Sequence, residues 1–224
     1  MCDEWMDISI YVNDITPQCR TVLMVISELK LKFDIRQINL EKKEHLSEAF
    51  LKINPLHTIP VLKEHDFVLM DSHAIVCYVI DDLSNYDYSL YPKDLQMRAQ
   101  IQQYLVFEAA TMFPLVKHTL LPIILGQEST ITEEKLNGCK EAFLYLDKVL
   151  EGKKKWLVGK SYTVADISCV TLASSISILV DMDQYPNVKA WLKSCEEEIL
   201  SYKEWNVPGL KKLHPLLTSA LPKS

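Results

Sequence analysis

Hydrophobic and polar positions follow two different patterns along the chain, and the change falls near residue 84. Before it, short runs in which apolar and polar residues alternate predict strands, and runs with apolar residues at helical spacing lie between them. The predicted order is β-α-β-α-β-β-α. After residue 84 the alternation is lost, and apolar residues recur at helical spacing to the end. The pattern therefore predicts an α/β unit followed by an all-helical unit.

The predicted elements can be placed by number. Strands are predicted at 7–12, 33–38, 61–62 and 67–70, and helices of the first unit at 16–29, 46–51 and 72–83. Helices of the second unit are predicted at 95–121, 132–150, 163–180, 186–200 and 208–217. The stretch 84–89 is polar and turn-prone, and Pro92 follows it. We therefore predict domains at 1–83 and 93–224, with a linker at 84–92. We expect Pro114 and Pro122 to bend or interrupt the first long helix.

Composition and charge exclude several classes of protein. With 224 residues and 48% hydrophobic residues, the chain resembles an ordinary soluble protein that can bury a large core. Its net charge of −6 argues against nucleic acid as a partner, because phosphate binding needs a basic surface. No apolar run approaches the length of a membrane span, and the start MCDEWMD is unlike a signal peptide. We expect no membrane partner and a cytoplasmic location.

The cysteines and histidines point away from disulfides and metals. The six cysteines are scattered without a CxxC pair, which is typical of reduced thiols in a chain of this size. The six histidines are equally dispersed and show no zinc-ligand spacing. We therefore expect neither a metal site nor a bound cofactor.

Two segments of the first unit carry the polar chemistry. In Thr58-Ile59-Pro60-Val61 a proline opens a predicted strand, so the Ile59 backbone is left to pair with an extended ligand, and the Ile59–Pro60 bond is a candidate for the cis form. Asp71-Ser72-His73 opens the following helix with acceptor and donor groups. A free backbone edge beside a helix start suits a small peptide with carboxylates.

The turn after the first strand offers a hydroxyl at Thr16. Thr16 is a good N-cap, and Pro17 suits the first helical position. Thr16-Pro17-Gln18-Cys19 also has the form of a redox Cys-Pro-x-Cys turn whose first sulfur is replaced by a hydroxyl. Such a hydroxyl cannot exchange thiols, but it can donate a hydrogen bond to a substrate thiolate, whose pKa is otherwise about 8.5. A helix cap with no chemistry is the alternative interpretation.

Three motifs in order carry a resemblance to a known family. They are NPLHTIPVL at 54–62, DSHAI at 71–75 and SYTVADI at 161–167. With them the chain resembles the cytosolic glutathione transferases along nearly its full length, closest to the insect delta and epsilon classes. His73 favours epsilon, since delta enzymes tend to have arginine there. The resemblance implies a thioredoxin-like N-terminal domain and an all-helical C-terminal domain. The third motif is a structural capping box.

The resemblance also implies a glutathione site. Thr16 takes the place of the family's catalytic serine, and the added methyl group is the one departure from the pattern. The implied contacts to glutathione are His45 and His57 with the glycyl carboxylate, the Ile59 backbone beside a cis-Pro60 with the cysteinyl unit, Asp71 with the γ-glutamyl ammonium, Ser72 with the γ-glutamyl carboxylate, and His73 at the same helix start.

The residues alone leave other interpretations open. Asp71 and Ser72 could merely cap a helix, and His45 lies in a charged surface stretch. Tyr11 is a rival thiolate donor, because other classes of the family use a tyrosine in this neighbourhood. We place Thr16 first and expect Tyr11 to be a wall residue.

The electrophile site is expected on the first long helix of the second unit, with the stretch 205–210 near the C-terminus. The candidates are Tyr104, Phe107, Glu108, Thr111, Met112 and Leu115. Their mixture of aromatic, methionine and aliphatic side chains suits an apolar pocket. The same spacing is equally expected on a helix face that packs into the core.

The function implied is conjugation of reduced glutathione, as co-substrate, to hydrophobic electrophiles, as in detoxification of xenobiotics. The family works as a homodimer, with an interface expected at 71–82 and on the helix from Leu95. One alternative is a glutathione-binding carrier of hydrophobic ligands with weak catalysis. Another is an interaction module that binds a protein partner. A thiol-disulfide oxidoreductase is disfavoured because residue 16 is not cysteine.

Overall fold

The computed structural model describes residues 8–84, 87–152 and 154–222. Four strands form one mixed sheet in the order β2-β1-β3-β4. They are β1 (Ile8–Val12), β2 (Asp34–Gln37), β3 (Val61–Glu64) and β4 (Phe67–Met70). The β1–β2 pair is parallel and the other pairs are antiparallel. Asp7, which we predicted to begin the first strand, and residues 85 and 86 of the predicted linker lie outside the described residues.

The first unit has the predicted order of elements. Its helices are α1 (Pro17–Glu28), α2 (Glu48–Leu51) and α3 (Ser72–Tyr78), with a 3₁₀ turn at Glu44–Leu46 and a π turn at Val79–Leu83. The whole of β1 is buried, which explains why its sequence is almost continuously apolar. The prediction of an α/β unit is confirmed.

After Leu83, the described residues form helices and helical turns and no strand, as predicted. The helices are α4 (Leu95–Phe107), α5 (Phe113–Ile124), α6 (Glu133–Val149), α7 (Val164–Ile176), α8 (Pro186–Glu198) and α9 (Val207–Ser219). Between them lie π turns at Glu108–Met112 and Tyr202–Asn206 and 3₁₀ turns at Ser177–Leu179 and Met182–Gln184. All of α7 is buried, and it packs against α1, so the two units share one apolar core.

The helix predicted at 95–121 is two helices joined by a π turn. The turn Glu108–Met112 separates α4 from α5, and Pro114 occupies the first turn of α5. A proline lacks an N–H and its ring clashes with the carbonyl four residues earlier, so the preceding turn widens. The same arrangement recurs at the second π turn, where Pro208 follows Asn206 at the start of α9. Pro122 remains inside α5 and does not end it.

The predicted capping box opens α7. The Thr163 hydroxyl accepts from Ala165 N at 3.3 Å, and Asp166 Oδ2 accepts from Thr163 N at 3.0 Å. The other oxygen of this buried carboxylate accepts from Leu157 N at 2.9 Å and from Trp191 Nε1 at 3.0 Å. Asp166 therefore joins three segments of the second unit. None of the helices described here is both long enough and apolar enough to cross a membrane.

Candidate functional site

The register of the sheet brings the predicted site residues to one edge of the sheet, the edge formed by the ends of its strands. Val12 at the end of β1 pairs with Gln37 at the end of β2, Tyr11 pairs with Val61 at the start of β3, and Val61 pairs with Met70 at the end of β4. The segments that continue from these strand ends carry Thr16, His45, Ile59 and Asp71 respectively. Four segments far apart in the sequence therefore meet at the same end of the sheet.

The turn between β1 and α1, residues 13–16, is held by its own polar groups. Asn13 Nδ2 donates to Ile38 O at 2.8 Å, and Asn13 Oδ1 accepts from Ile15 N at 3.0 Å. Thr16 N donates to Asn13 O at 3.1 Å. Asn13 therefore fixes the turn to the sheet, and Thr16 lies at its end, directly before α1.

The Thr16 hydroxyl does not cap α1, in contrast to our expectation. It donates to Asn13 O at 2.9 Å instead of accepting from the first helical turn. The hydroxyl also lies against the Cys19 thiol, whose pKa burial raises to about 11 although the Thr16 contact lowers it. Thr16 is 7% exposed. Because a hydroxyl carries one hydrogen, it must leave Asn13 O before it can donate to a ligand.

Arg20 links the same turn to the second unit. Its Nη1 donates to Asp14 O at 3.0 Å and Ile15 O at 2.9 Å, while Nε donates to Asn206 Oδ1 at 2.8 Å. Nη2 donates to Thr171 O at 3.1 Å and to the Ser175 hydroxyl. All five N–H donors of the guanidinium are thus paired, each with a neutral oxygen. Burial lowers the pKa of Arg20 to about 10.

The loop before β3 presents the Ile59 backbone. The Ile59–Pro60 bond is cis. Ile59 lies two residues before Val61, the first residue of the β1–β3 ladder, so its backbone groups extend beyond the paired strand. The fully buried Asn54 shapes this loop, donating from Nδ2 to Thr58 O at 2.8 Å and accepting from Leu56 N at 2.9 Å.

Two imidazoles face each other beside this loop. The ring centres of His45 and His57 are 6.5 Å apart, and His57 has a left-handed backbone with φ of 47°. His45 is half-buried, and its Nδ1 has no hydrogen-bond partner among the described residues. Burial and the neighbouring His57 lower the pKa of His45. The structure therefore places two adjacent imidazoles, with the Nδ1 of His45 unpaired among the described residues, where an anionic group would fit.

Asp71 and Ser72 open α3 at the same edge. Asp71 has φ of 73°, and its Oδ1 accepts from His73 N at 2.9 Å and from Ala74 N at 3.4 Å. Hydrogen bonds from His73 hold the pKa of Asp71 below its usual range. Ser72 is 3% exposed. An exposed carboxylate thus lies beside a buried hydroxyl at a helix start.

His73 turns away from that edge and joins the two units. Its Nδ1 lies 3.3 Å from Asp71 Oδ1, and its Nε2 lies 2.8 Å from Glu108 Oε2 and 3.0 Å from Ser168 Oγ. Burial lowers the pKa of His73, but the two carboxylates outweigh it and raise the pKa to about 9. Both ring nitrogens are engaged, so the geometry differs from the expected direct contact of His73 with a ligand.

Comparisons with known proteins identify the family. Residues 16–82 match the family described as glutathione S-transferase, N-terminal domain, and residues 74–198 match glutathione S-transferase, C-terminal domain. Glutathione S-transferase 1 of Manduca sexta is 37% identical over 220 residues, covering 96% of this chain and 100% of that protein. The chain belongs to the glutathione S-transferase family.

Two solved structures show how far the fold is shared. An epsilon-class glutathione S-transferase from the housefly, Musca domestica, is 34% identical with a TM-score of 0.86, covering 95% of this chain and 98% of that chain. A glutathione transferase homologue from Drosophila mojavensis with bound glutathione is 31% identical with a TM-score of 0.87, covering 96% of this chain and 98% of that chain. These likenesses confirm the thioredoxin-like N-terminal domain and the helical C-terminal domain.

In this glutathione S-transferase, Tyr11 lies on a different side of the sheet from α1. It packs edge-on against Phe50 at 5.9 Å, in a small cluster separate from the main core. Its hydroxyl accepts from Arg36 Nη1 at 3.1 Å. Thr16, by contrast, lies directly before α1.

The expected electrophile residues divide between core and surface. Met112 is fully buried, and Tyr104 and Phe107 are at most 9% exposed, so these three pack in the core. Glu108 is also buried and pairs with His73. Their spacing therefore marks a core-facing side of the helix, which corrects our assignment of these four side chains to a pocket wall.

The remaining electrophile candidates lie elsewhere. Thr111 is exposed. Leu115 lines a groove of about 790 Å³ between α5 and α6 with Pro114 and His118, and none of the residues at the sheet edge lines it. Trp205 lines a groove beside Ser27 at the C-terminal end of α1, eleven residues or about 16 Å from Thr16. The C-terminal stretch meets the turn before Thr16 at Gly209, which packs on Asp14.

Sequence reasoning missed Asn13, Arg20 and Asn54. Arg20 had a visible signal, since it is the only charged residue between Asp14 and Glu28, inside a mostly apolar helix. A charge in that position indicates a paired, buried group. The two asparagines precede a helix or a Pro-rich loop, where a side-chain amide that organises the turn is expected.

Proposed function

We propose that this glutathione S-transferase conjugates the thiolate of reduced glutathione to hydrophobic electrophiles, with Thr16 as the thiolate donor. The observation that carries the proposal is the meeting of four polar segments at one edge of the sheet, with Thr16 at the start of α1. Glutathione is the co-substrate, and the proposal includes no metal or redox cofactor.

The binding part of the proposal follows the groups at that edge. His45 and His57 would meet the glycyl carboxylate, and the Ile59 backbone beside Pro60 would pair with the cysteinyl unit. Asp71 would meet the γ-glutamyl ammonium with the carboxylate oxygen that does not cap α3. Ser72 and the start of α3 would hold the γ-glutamyl carboxylate.

The chemical step then needs one local change. The Thr16 hydroxyl leaves Asn13 O and donates to the glutathione sulfur, which favours the thiolate over the thiol. The nearby N-terminus of α1 acts in the same direction. A threonine is stiffer about χ1 than the family's serine, so its hydroxyl oxygen adjusts its position toward the sulfur less freely. His73 holds Asp71 in place and does not itself contact glutathione.

Substitutions at two positions test the donor. We expect Thr16→Ala to lower kcat with an aryl halide at least tenfold. It should also raise the pKa of the bound glutathione thiol by about one unit, which corresponds to a loss of about 1.4 kcal/mol of thiolate stabilisation. Thr16→Ser should retain activity. Asp71→Ala should instead weaken glutathione binding. Parental turnover in Thr16→Ala, beside an inactive Asp71→Ala, would show that Thr16 is not the donor.

A glutathione-binding carrier with weak catalysis is the second candidate. The observation that favours it is the engaged Thr16 hydroxyl, which has an intramolecular acceptor in Asn13 O. If this hydroxyl rarely turns to sulfur, Thr16→Ser should be much faster than the parent protein. Equal rates for threonine and serine would favour the enzyme.

Three finer assignments complete the proposal. We place the chain nearest the epsilon class on the strength of His73. We propose a cytoplasmic location. We also propose a homodimer, because α4 exposes Leu95 and Val106, which are 82% and 62% exposed.

A further inference from the structure

Two cations hold the turn that carries Thr16. Arg20 Nη1 donates to Asp14 O and Ile15 O, at 3.0 and 2.9 Å. From the other side, Lys212 Nζ lies 2.8 and 2.6 Å from the two carboxylate oxygens of Asp14. We call Arg20, Asp14 and Lys212 the loop clamp. Its contacts end one residue before Thr16.

The clamp connects the turn to helices of the second unit. Arg20 uses its remaining donors on Asn206, Thr171 and Ser175, and Lys212 belongs to α9. The backbone of α9 also lies directly on the turn, because a Cβ at Gly209 would be 2.1 Å from Asp14 O. The turn is thus attached to α7 and α9 as well as to the sheet.

A buried guanidinium whose hydrogen-bond partners are all neutral oxygens is costly in solvation free energy. Apolar side chains could hold the two units together at lower cost. The rigid fork of arginine, with donors fixed in one plane, instead fixes the direction of each carbonyl that it contacts. The arrangement is therefore better suited to fixing the direction of backbone carbonyls than to holding the two units together. Two of these carbonyls, those of Asp14 and Ile15, directly precede Thr16.

We propose that Arg20 and Lys212 are positioning residues for the conjugation reaction. They fix Thr16 relative to the second unit, so that the thiolate that Thr16 holds is aimed at the electrophile. This inference rests on the proposed function of Thr16. Glutathione affinity depends on other residues, at 45–59 and 71–72, so loss of the clamp lowers kcat and leaves the KM for glutathione nearly unchanged.

Lys212→Met is the first test, because the Lys212 side chain is 59% exposed and its loss leaves the core intact. We expect kcat to fall about threefold and the pKa of bound glutathione to rise by about half a unit, in line with one exposed ion pair. Arg20→Lys loses the fork and should lower kcat at least tenfold. Thiolate absorbance against pH gives the pKa, and steady-state rates with an aryl halide give kcat and KM.

Tyr162→Phe is the matched control. The Tyr162 hydroxyl donates to Glu28 Oε2 at 2.9 Å, which also joins the second unit to α1, but at the end about 18 Å from Thr16. It should keep the parental kcat and thiol pKa. A loss of kcat in Tyr162→Phe as large as in Lys212→Met would mean that any weakened interface lowers activity, and the positioning role would be wrong.

A double variant separates the clamp from the donor. If the clamp acts through Thr16, Lys212→Met should cause no further loss in a Thr16→Ala background. The positioning role of the clamp is wrong, and the role of Thr16 as donor is unaffected, in either of two cases. One is that the two losses of kcat multiply in the double variant, and the other is that Lys212→Met has the parental kcat and thiol pKa. Parental turnover in the single Thr16→Ala variant would instead overturn the donor, so the two failures are distinct.

Discussion

At the scale of single residues, His73 shows how a motif position can act through its neighbours. The DSHAI motif places it beside two expected glutathione ligands, yet its ring nitrogens lie 3.3 Å from Asp71 and 2.8 Å from Glu108. An imidazolium can donate to both carboxylates at once, whereas a neutral imidazole can donate to only one. The charged form therefore joins α3 to the second unit.

This pairing predicts a pH-dependent stability. The pKa of His73 is about 9 in the folded protein and about 6.5 when unfolded, so its stabilisation is complete below about pH 6.5 and is lost as the pH rises through about 9. It amounts to on the order of 3 kcal/mol. In urea unfolding, the parent should lose more stability than His73→Gln between pH 6 and pH 9.5. His118→Gln, at an exposed position on α5, is the control and should follow the parent.

If the parent and His73→Gln differ in stability by the same amount at pH 6 and at pH 9.5, the prediction is contradicted. In that case the ring would contribute as a neutral group, through packing or the Ser168 contact alone. His73→Gln keeps one amide donor and one acceptor of similar reach, which limits the change in packing.

At the scale of elements, periodicity predicted which segments are helical but not how they are interrupted. The apolar spacing over 95–121 does not itself reveal the break, because a π turn adds only one residue to a turn and the spacing on either side stays close to helical. The proline at 114 gave the position of the break. Partners such as Arg20 and Asn206, which are 186 residues apart, could not be predicted, since local spacing does not encode which distant segments meet.

The candidate site was predictable to the same extent. Each motif marked a strand end or a helix start from its own residues, and the register of the sheet then brought those ends together. Side-chain directions were not predictable. The Thr16 hydroxyl turns to Asn13, and the buried Met112 faces the core, because rotamers and helix rotation depend on tertiary packing.

The capping box of α7 makes a prediction at this scale. Asp166 accepts four hydrogen bonds, from Leu157, Trp191 and twice from Thr163. Asp166→Asn replaces one acceptor by a donor and leaves buried N–H groups unpaired, so we expect a loss of about 2 to 4 kcal/mol in urea unfolding. Thr163→Ala removes one cap and should cost about 1 kcal/mol. Equal stability of the two variants would contradict this prediction, because the loss at Asp166 would then be no larger than the loss of one cap.

At the scale of the whole molecule, α4 carries an apolar surface that the rest of the described chain does not cover. Leu95 and Val106 are 82% and 62% exposed. They are eleven residues apart, which is about three helical turns, so both lie on one face. Exposed apolar residues aligned in this way are typical of an interface between copies of a chain.

We therefore expect sedimentation equilibrium to give twice the chain mass of 25.8 kDa at micromolar concentration. Val106→Lys places a charge in the proposed interface and should shift the protein to monomer, because an unpaired buried charge costs several kcal/mol. Leu200→Lys is the matched control, since Leu200 is also 82% exposed but lies between α8 and α9. A parent protein that sediments at 25.8 kDa would contradict the dimer, whereas a dimeric Val106→Lys would place the interface away from this face of α4. The helix that bears Val106 leads into the π turn that holds Glu108 against His73, so formation of the dimer should also raise the protection of that turn in hydrogen exchange.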